Sequence, residues 1–291
     1  MKIIDGKKIS NDVLDEIKIV VDERIKNRKK VPHLAAVLVG DDGPSETYVK
    51  SKIRACERVG FNSSLFKFDM DISQDELLKE IIKINENQDI DGFIVQLPLP
   101  SNIEQEKILT QISPNKDVDG FHPYNYGKMT LGIDTFLPAT PAGIVELIKR
   151  YKIELSGKKC LVIGRSQIVG LPISILLGQN KSYANATVTV AHSQTKHLDL
   201  LCASSNIIIS AIGIPNFLKS SMVSDKTVII DVGISRIEDS TSPRGYKIVG
   251  DVDIEDFRDR DIMITPVPGG VGPMTIAMLL QNTLKACQLN D

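Results

Sequence analysis

The sequence predicts an α/β protein made of two domains, and three observations support this fold class. Its 291 residues exceed what one small core requires and suit two domains. Short apolar segments alternate with longer segments whose apolar residues recur at helical spacing. This alternation occurs twice, on either side of a stretch at 113–143 that is rich in Asp, Gly, Pro and Asn. Because strand–helix alternation favours parallel pairing with right-handed crossovers, we expect a parallel sheet in each domain.

The first series of elements lies between residues 9 and 97. Pro32 follows its first helix, Gly60 ends its second, and Ser73 is a suitable N-cap for its third. In chain order we predict a helix at 9–28, a strand at 34–40, a helix at 45–60, a strand at 64–68, a helix at 73–88 and a strand at 91–97.

The second series starts with a helix whose predicted N-cap is Thr140 and whose first residue is Pro141. The polar stretch 235–247 is longer than a tight turn needs, and we expect a surface hairpin there. A last helix at 273–289 follows a loop rich in Pro and Gly. The predicted strands of this series lie at 159–164, 187–191, 207–212, 228–232 and 262–264, and a helix begins at 169.

These two series predict a domain boundary near residue 140. We expect residues 1–140 to form a three-layer αβα domain and residues 141–271 to form a doubly wound domain. The C-terminal helix, within 272–291, should return to pack on the first domain, because a loop so rich in Pro and Gly is typical of a crossing.

Composition excludes several classes of function. The 35 Lys and Arg against 37 Asp and Glu give a net charge of −2, so charge offers no case for binding nucleic acid or an anionic membrane. The four cysteines show no CxxC spacing, which disfavours a zinc or redox motif, and we expect no metal. There is no apolar run of membrane-spanning length and no apolar leader, so the expected location is the cytoplasm.

A phosphate-binding turn is predicted after the strand at 159–164. Gly164 ends this strand and a helix follows, which is where a Rossmann domain binds the phosphates of a dinucleotide through backbone N–H groups. The match to GxGxxG is poor, because Ser166 takes the place of the second glycine and Gly170 falls one residue late. On this pattern alone, a purely structural strand–helix turn is the alternative.

Two further features favour NADP as the cofactor. Arg165 lies in the loop itself, where its guanidinium can meet a phosphate. The next strand ends in His192 and Ser193, whereas a domain that prefers NAD usually has an acidic residue there. A carboxylate would repel a 2′-phosphate, and these side chains would not. The alternative is that His192 and Ser193 only cap the following helix.

In the first domain, three places carry candidate catalytic side chains. Tyr48 and Lys52 lie four residues apart on one helix face, although solvated pairs of this kind are common. Gln96 stands at the carboxyl end of a predicted strand, where ligands of α/β domains bind, and a simple strand-to-loop transition is the alternative for this residue. Asp117 and Asp119 are two carboxylates of which one could accept paired hydrogen bonds from an amidine-like ring edge. Metal ligation is the rival for these aspartates, and it lacks further oxygen ligands.

Taken together, nine segments resemble the successive signatures of the bifunctional methylenetetrahydrofolate dehydrogenase/cyclohydrolase family, in the same order and over nearly the whole chain. GGVGPMT, VQLPLP and KDVDGF are the most specific of the matching strings. The segments are SETYVKSK, DGFIVQLPLP, KDVDGFHPYNYGKM, PATPAGI, GRSQIVGLP, ATVTVAHSQT, IDVGIS, VGDVD and ITPVPGGVGPMTIAMLL.

The resemblance implies an enzyme of one-carbon metabolism that oxidises 5,10-methylenetetrahydrofolate with NADP and then hydrolyses the methenyl product to 10-formyltetrahydrofolate. This activity would link the enzyme to purine, methionine and histidine biosynthesis. By similarity, Lys52 assists proton transfer and water attack, Gln96 tunes Lys52, and Tyr48 stacks on the folate. Asp119 would hold the pterin.

The resemblance also implies the remaining site residues and a homodimer. The NADP site would contain Gly164, Arg165, Ser166, Ser193 and the backbone of Ile234. A loop at 268–275 would close over the substrate. The implied substrate-binding set is Tyr48, Lys52, Val95, Gln96, Leu97, Asp119, Pro268, Gly269, Gly270, Gly272, Pro273 and Thr275.

The sequence departs from the family pattern at Ala139, where a cysteine is common, and this position looks structural. His122 is expected only to cap or pack. Two rival functions remain from sequence: a monofunctional dehydrogenase with weak cyclohydrolase activity, and a catalytically silent NADP-binding regulator. Intact Tyr48, Lys52, Gln96 and Asp119 argue against the second.

Overall fold

The computed structural model describes residues 1–41, 43–242 and 245–291, which form two compact units. Unit 1 consists of Met1–Ser10 and Thr140–Thr275, and unit 2 consists of Asn11–Ala139 and Ile276–Asp291. Each unit is therefore built from two separate stretches of the chain.

The described elements alternate between strands and helices along most of the chain. The first half contains β1 (Lys2–Ile3), α1 (Gly6–Lys26), β2 (His33–Val39), α2 (Gly43–Val59), β3 (Asn62–Phe68), α3 (Gln74–Glu86), β4 (Gly92–Val95), α4 (Gln105–Gln111), α5 (Pro123–Thr130) and α6 (Ala139–Arg150). The second half contains β5 (Lys159–Ile163), α7 (Gly170–Gly178), β6 (Thr187–Ala191), α8 (Leu198–Ala203), β7 (Ile207–Ser210), β8 (Val228–Asp231), β9 (Ser235–Glu238), β10 (Tyr246–Val249), β11 (Met263–Ile264) and α9 (Val271–Leu289), with 3₁₀ turns at Ser220–Met222 and Ile254–Phe257.

Unit 2 is a three-layer structure around a parallel sheet of order β3-β2-β4. Alternate residues of β2, such as Val37 and Val39, pack with Leu77 and Ile81 of α3 in one buried cluster. Because side chains alternate across a strand, the other buried residues of β2 face the opposite side, where α2 packs on β2 and β3. The side chains at the carboxyl ends of these strands are thereby held on a rigid support.

The C-terminal part of α9 belongs to unit 2. Asn282 Nδ2 donates to the carbonyl oxygens of Val118 at 2.8 Å and Leu137 at 2.9 Å. The guanidinium of Arg24, whose side chain is only 6% exposed, donates to both carboxylate oxygens of Asp291 at 2.7 and 2.9 Å. The predicted return of this helix to the first domain is confirmed.

Unit 1 contains a six-stranded parallel sheet of order β1-β11-β8-β7-β5-β6. From β5, the chain proceeds to β6 on one side and then to β7 on the other, so the strand order reverses between β5 and β7. Such a switch point is where open α/β sheets bind ligands at the carboxyl ends of their strands. The predicted doubly wound fold is confirmed.

Two details differ from the sequence analysis. Residues 1–10 were assigned to the first domain, but β1 pairs with β11 in the sheet of unit 1. Thr140 was expected to be an N-cap, but α6 already begins at Ala139, so Thr140 lies in the first turn. Its hydroxyl is instead 2.9 Å from the hydroxyl of Thr275.

Two other local predictions are confirmed, a helix cap and a hairpin. Ser73 is the N-cap of α3 and forms a reciprocal capping box with Glu76. β9 begins at the predicted start of the hairpin, Ser235, and pairs antiparallel with β10, which extends past the predicted end to Val249. The four cysteines are buried and free. Among the described residues, none of the helices combines the length and the apolar character needed to cross a membrane.

Candidate active site

Lys52 and Gln96 form the centre of the candidate site in unit 2. Lys52 lies on α2, and Gln96 is the first residue after β4. Lys52 Nζ donates to Gln96 Oε1 at 3.1 Å. Gln96 Nε2 in turn donates to the carbonyl oxygen of Leu97 at 2.8 Å, which orients the amide with its oxygen toward the lysine. The structure thus brings together two residues that are 44 positions apart in the chain.

The two aspartates of the KDVDGF segment take different positions. Asp117 is buried and acts as an acceptor for the loop that follows it. Its donors are the backbone N–H groups of Gly120, Phe121 and His122 and the side-chain amide of Asn125, at 2.8 to 3.2 Å. Burial raises the pKa of Asp117 to about 6, against the effect of these donors. Asp117 therefore shapes the loop and has little capacity left for a ligand.

Asp119 is the available carboxylate of the pair. Within the described part of the chain, no group donates a hydrogen bond to it, and it interacts electrostatically with Lys52. Burial raises the pKa of Asp119, while Lys52 lowers it. Hydrogen bonds from a bound ring edge would satisfy this carboxylate and favour its charged form.

Burial also changes the acidity of Lys52. The side chain keeps partial solvent exposure, yet burial is the main cause that lowers its pKa, and the nearby charge of Asp119 opposes this change. A lysine with a lowered pKa supplies a neutral amine more readily near neutral pH. Tyr48 lies one helical turn earlier and is 40% exposed, so its ring can meet a flat ligand.

His122 is a structural residue, as expected. It is the N-cap of α5, and its Nδ1 accepts a hydrogen bond from the backbone N–H of Tyr124 at 3.1 Å.

The predicted phosphate turn of unit 1 is tight enough to require glycine at two positions. Gly164 has φ +113°, and a Cβ atom there would lie 2.4 Å from the carbonyl oxygen of Ala211. A Cβ atom on Gly170 would lie 2.2 Å from the carbonyl oxygen of Gly164. Ser166 Oγ accepts hydrogen bonds from the N–H groups of Val169 at 3.2 Å and Gly170 at 3.4 Å. The segment therefore forms a compact strand–helix turn, although its sequence matches the glycine motif poorly.

The other candidate cofactor residues lie at the same edge of the sheet. Arg165, Ser166 and Ser193 are exposed, and Ile234, after β8, is 46% exposed. His192 does not cap α8, which begins at Leu198. Instead, His192 Nδ1 accepts a hydrogen bond from the backbone N–H of Gln194 at 3.3 Å. The backbone N–H of His192 donates to Thr195 Oγ1 at 2.8 Å. His192 thus organises the turn that presents Ser193.

The predicted closing loop at 268–275 is anchored by the N-terminal residues of unit 1. The N–H of Lys7 donates to the carbonyl oxygen of Gly269 at 2.8 Å, and Ser10 Oγ donates to that of Pro273 at 3.0 Å. Sequence reasoning missed this anchor, because its hydrogen bonds join residues about 260 positions apart in the chain. It also missed a buried pair, Asp231 and Asp251, although both lie in segments that carry the family resemblance.

Among the described residues, no group of three or more His, Cys, Asp and Glu side chains is arranged to hold a metal ion. The chain therefore combines a doubly wound dinucleotide-binding unit with a unit that carries a Lys–Gln–Asp cluster. These features define the class of α/β enzymes that use a pyridine nucleotide.

Comparison with protein families specifies the class further. The catalytic domain of tetrahydrofolate dehydrogenase/cyclohydrolase matches residues 4–119, and the NAD(P)-binding domain of the same family matches residues 138–291. The chain belongs to this family, and the resemblance stated from the sequence is confirmed.

Relatives of the chain match it over nearly its full length. The bifunctional protein FolD of Christiangramia forsetii is 57% identical over 286 residues, which cover 98% of this chain and 96% of the relative. The FolD protein of Flavobacterium johnsoniae is 53% identical over 291 residues, covering 100% of this chain and 99% of the relative.

Solved structures agree in fold. The FolD dehydrogenase/cyclohydrolase of Campylobacter jejuni has a TM-score of 0.93 at 44% identity and covers 99% of both chains. The enzyme of Trypanosoma brucei, solved with NADP and an inhibitor, has a TM-score of 0.93 at 34% identity, over 99% of this chain and 97% of that one. A shikimate dehydrogenase of Thermus thermophilus, at 13% identity and a TM-score of 0.51, shares the fold alone.

Proposed function

We propose that this protein oxidises 5,10-methylenetetrahydrofolate to the methenyl cation with NADP and then hydrolyses that cation to 10-formyltetrahydrofolate. The observation that carries the proposal is the hydrogen bond from Lys52 Nζ to Gln96 Oε1 in a setting that lowers the pKa of the lysine. A dehydrogenase without hydrolytic activity has no need of this arrangement.

In the oxidation, the methylene carbon of the folate loses a hydride to the nicotinamide ring of NADP. No proton moves in this step, so the protein contributes binding and alignment rather than acid–base chemistry. Asp119 accepts hydrogen bonds from the pterin edge, and Tyr48 stacks on the folate. The backbone of Val95 and Leu97 flanks Gln96 and adds contacts to the substrate.

In the hydrolysis, water adds to the methenyl carbon and loses a proton to neutral Lys52. The hydroxyl group of this adduct then loses its own proton to solvent and becomes the formyl carbonyl as one carbon–nitrogen bond of the ring breaks. The released nitrogen takes up the proton held by Lys52, so the net reaction releases one proton. Because the methenyl group is a cation, its charge disfavours a protonated lysine beside it, which adds to the effect of burial. Gln96 holds the amine in place without adding a charge.

NADP is held by the phosphate turn and by the strand ends near it. The backbone of Gly164 meets the phosphates, while Arg165, Ser166 and Ser193 recognise the ribose phosphate. Ile234 contributes its backbone to the nicotinamide side. Two observations support this assignment. The side chains of Arg165, Ser166 and Ser193 are exposed, and no carboxylate stands at the end of β6. The family resemblance further supports folate contacts by Pro268, Gly269, Gly270, Gly272, Pro273 and Thr275.

We further propose that the protein acts in the cytoplasm as a homodimer. The family resemblance supports the homodimer. Sedimentation equilibrium of the purified protein tests the assembly, and a mass of one chain at micromolar concentration contradicts it.

The decisive experiment compares Lys52→Met with Lys50→Met, a control on the same helix whose side chain is 67% exposed. Lys52→Met should lose hydrolysis of methenyltetrahydrofolate by about 10²-fold or more, the range for removing a positioned acid–base group. Its NADPH formation should fall much less, and the control should match the unchanged protein. Both rates are followed by absorbance with the same substrate preparations.

The outcomes separate the rival functions. Equal loss of both activities in Lys52→Met contradicts the separate role of the lysine. Accumulation of methenyl product by the unchanged protein favours a monofunctional dehydrogenase, against which the Lys52–Gln96 bond argues. No NADPH from the unchanged protein favours the silent regulator.

A further inference from the structure

A pair of buried aspartates lies in unit 1 outside the proposed chemistry. Asp231 is the last residue of β8, and Asp251 follows β10 by two positions. Their exposed fractions are 3% and 0%. Charged side chains are almost never buried so completely unless they are held by specific partners, so the contacts of this pair indicate what it does.

Asp251 holds the loop after β7 through hydrogen bonds. Its Oδ2 accepts a hydrogen bond from the N–H of Ile212 at 2.8 Å and one from Ser210 Oγ at 3.1 Å. The carbonyl of Ala211, between them, is the group that a Cβ atom on Gly164 would meet at 2.4 Å. Asp251 therefore sets the position of the backbone that packs against the phosphate turn.

Asp231 holds both the loop after β8 and the backbone of Asp251 through hydrogen bonds. Its Oδ1 accepts from the N–H groups of Gly233 and Asp251, both at 3.0 Å, and its Oδ2 accepts from that of Val252 at 2.9 Å. Gly233 immediately precedes Ile234, the proposed backbone contact to the cofactor. The two carboxylates thus connect the ends of β7 and β8.

The packing around the pair leaves no space for adjustment. A Cβ atom on Gly233 would lie 2.1 Å from Asp251 Oδ1, and one on Gly250 would lie 1.9 Å from Asp231 Oδ2. Asp251 Oδ1 is buried and has no hydrogen-bond donor among the described residues. Leaving such an atom unsatisfied opposes folding, and an apolar side chain would avoid this cost. The arrangement therefore points to a role other than stability.

In a doubly wound sheet, the two halves of a dinucleotide bind on opposite sides of the switch point. Ser193, at the end of β6, lies on the proposed adenosine side, so the ends of β7 and β8 lie on the nicotinamide side. We propose that Asp251, held by Asp231, is a positioning residue for the nicotinamide half of NADP. It acts through the backbone at Ile212 and Gly233, and the inference rests on the proposed NADP site.

The test compares the binding of whole NADP with that of 2′,5′-ADP, which carries only the adenosine half. In Asp251→Ala, which removes the acceptor of Ile212 and Ser210, the affinity for NADP should fall about tenfold or more, and the affinity for 2′,5′-ADP should stay within about twofold. The KM for NADP should rise while hydrolysis of methenyltetrahydrofolate, which uses no NADP, is unchanged. Calorimetric titration and steady-state rates give these values.

Ser210→Ala is the second variant, because it removes one hydrogen bond to Asp251 and keeps that of Ile212. It should show the same selective loss to a smaller degree, and it provides the test if Asp251→Ala does not fold. Equal loss of NADP and 2′,5′-ADP affinity, or unchanged NADP affinity, overturns the proposal. Failure of the unchanged protein to bind NADP overturns the proposed function instead.

Discussion

At the residue scale, two aspartates separated by one valine show how local hydrogen bonding assigns roles. Asp117 has four donors directed at it and holds the loop, whereas Asp119 has none among the described residues and interacts with Lys52. From the sequence, either carboxylate could bind a ring edge, and only the family resemblance favoured Asp119. Donor geometry depends on the folded loop, so composition and spacing could not distinguish the two.

The charge of Asp119 should be visible in the pH dependence of hydrolysis. Burial lowers the pKa of Lys52 and Asp119 raises it. The rate at saturating substrate should rise with pH as Lys52 loses its proton. Asp119→Asn removes the charge that favours the protonated lysine, so the rise should move to lower pH. The measurement is the kcat of methenyltetrahydrofolate hydrolysis against pH, corrected for the uncatalysed reaction.

Asp134→Asn is the matched control, since Asp134 is an exposed carboxylate of the same unit that pairs with Lys285. Its pH profile should coincide with that of the unchanged protein. A rise that moves to higher pH in Asp119→Asn, or does not move, contradicts the proposed coupling between the carboxylate and the lysine.

At the element scale, the turn between β5 and α7 shows why motif matching understated the cofactor site. The spacing of its glycines departs from GxGxxG, yet Gly164 and Gly170 meet across the turn with no room for a side chain. The two-residue strands β1 and β11 were harder to predict from sequence than this turn. Of the two, β11 was predicted and β1 was not. Two residues cannot establish a period, so such strands form only through their partners.

Gly170→Ala should remove NADP binding selectively. The added Cβ atom would lie 2.2 Å from the carbonyl oxygen of Gly164, so the phosphate turn must open. We expect the affinity for NADP to fall at least about tenfold, with hydrolysis of methenyltetrahydrofolate little changed. Titration of NADP into the purified variant measures the effect.

The control for this variant lies on the same helix. Gly178→Ala adds a Cβ atom whose nearest neighbour, in Val188, is 3.9 Å away, which is ordinary contact. It should bind NADP normally. If both alanine variants bind alike, the turn is not the phosphate site.

At the scale of the whole molecule, the alternation of strands and helices and both parallel sheets were predictable, because short apolar strands alternate with longer amphipathic helices. The short helices α4, α5 and α8 were not predicted. The return of α9 to unit 2 was also predicted, from the loop before it. The reach of the N-terminal residues into the sheet of unit 1 was not, since their partner β11 lies about 260 positions away in the chain. Contacts over such separations leave no local pattern.

Asn282 should couple the C-terminal helix to the candidate site. Its amide donates to the carbonyl oxygen of Val118, the residue before Asp119. Asn282→Ala should lower the free energy of unfolding by about 1–3 kcal/mol, because two carbonyl groups lose their donor. The KM for the folate should also rise. Chemical denaturation and steady-state kinetics measure the two effects.

Gln281→Ala, at the exposed neighbouring position, is the control and should alter neither value by much. Loss of stability in Asn282→Ala with an unchanged KM would restrict Asn282 to a structural role.

The division of each unit between distant stretches of chain constrains how the protein can emerge from the ribosome. Residues 11–139 leave the ribosome well before Ile276–Asp291, which complete the same unit. At about 5–20 residues per second, this delay amounts to roughly 8–30 seconds. During that interval the surface that α9 later covers is exposed on the nascent chain. We therefore expect chaperones to bind preferentially to this intermediate. Slower translation of the codons for residues 140–291 should lengthen the lifetime of the intermediate.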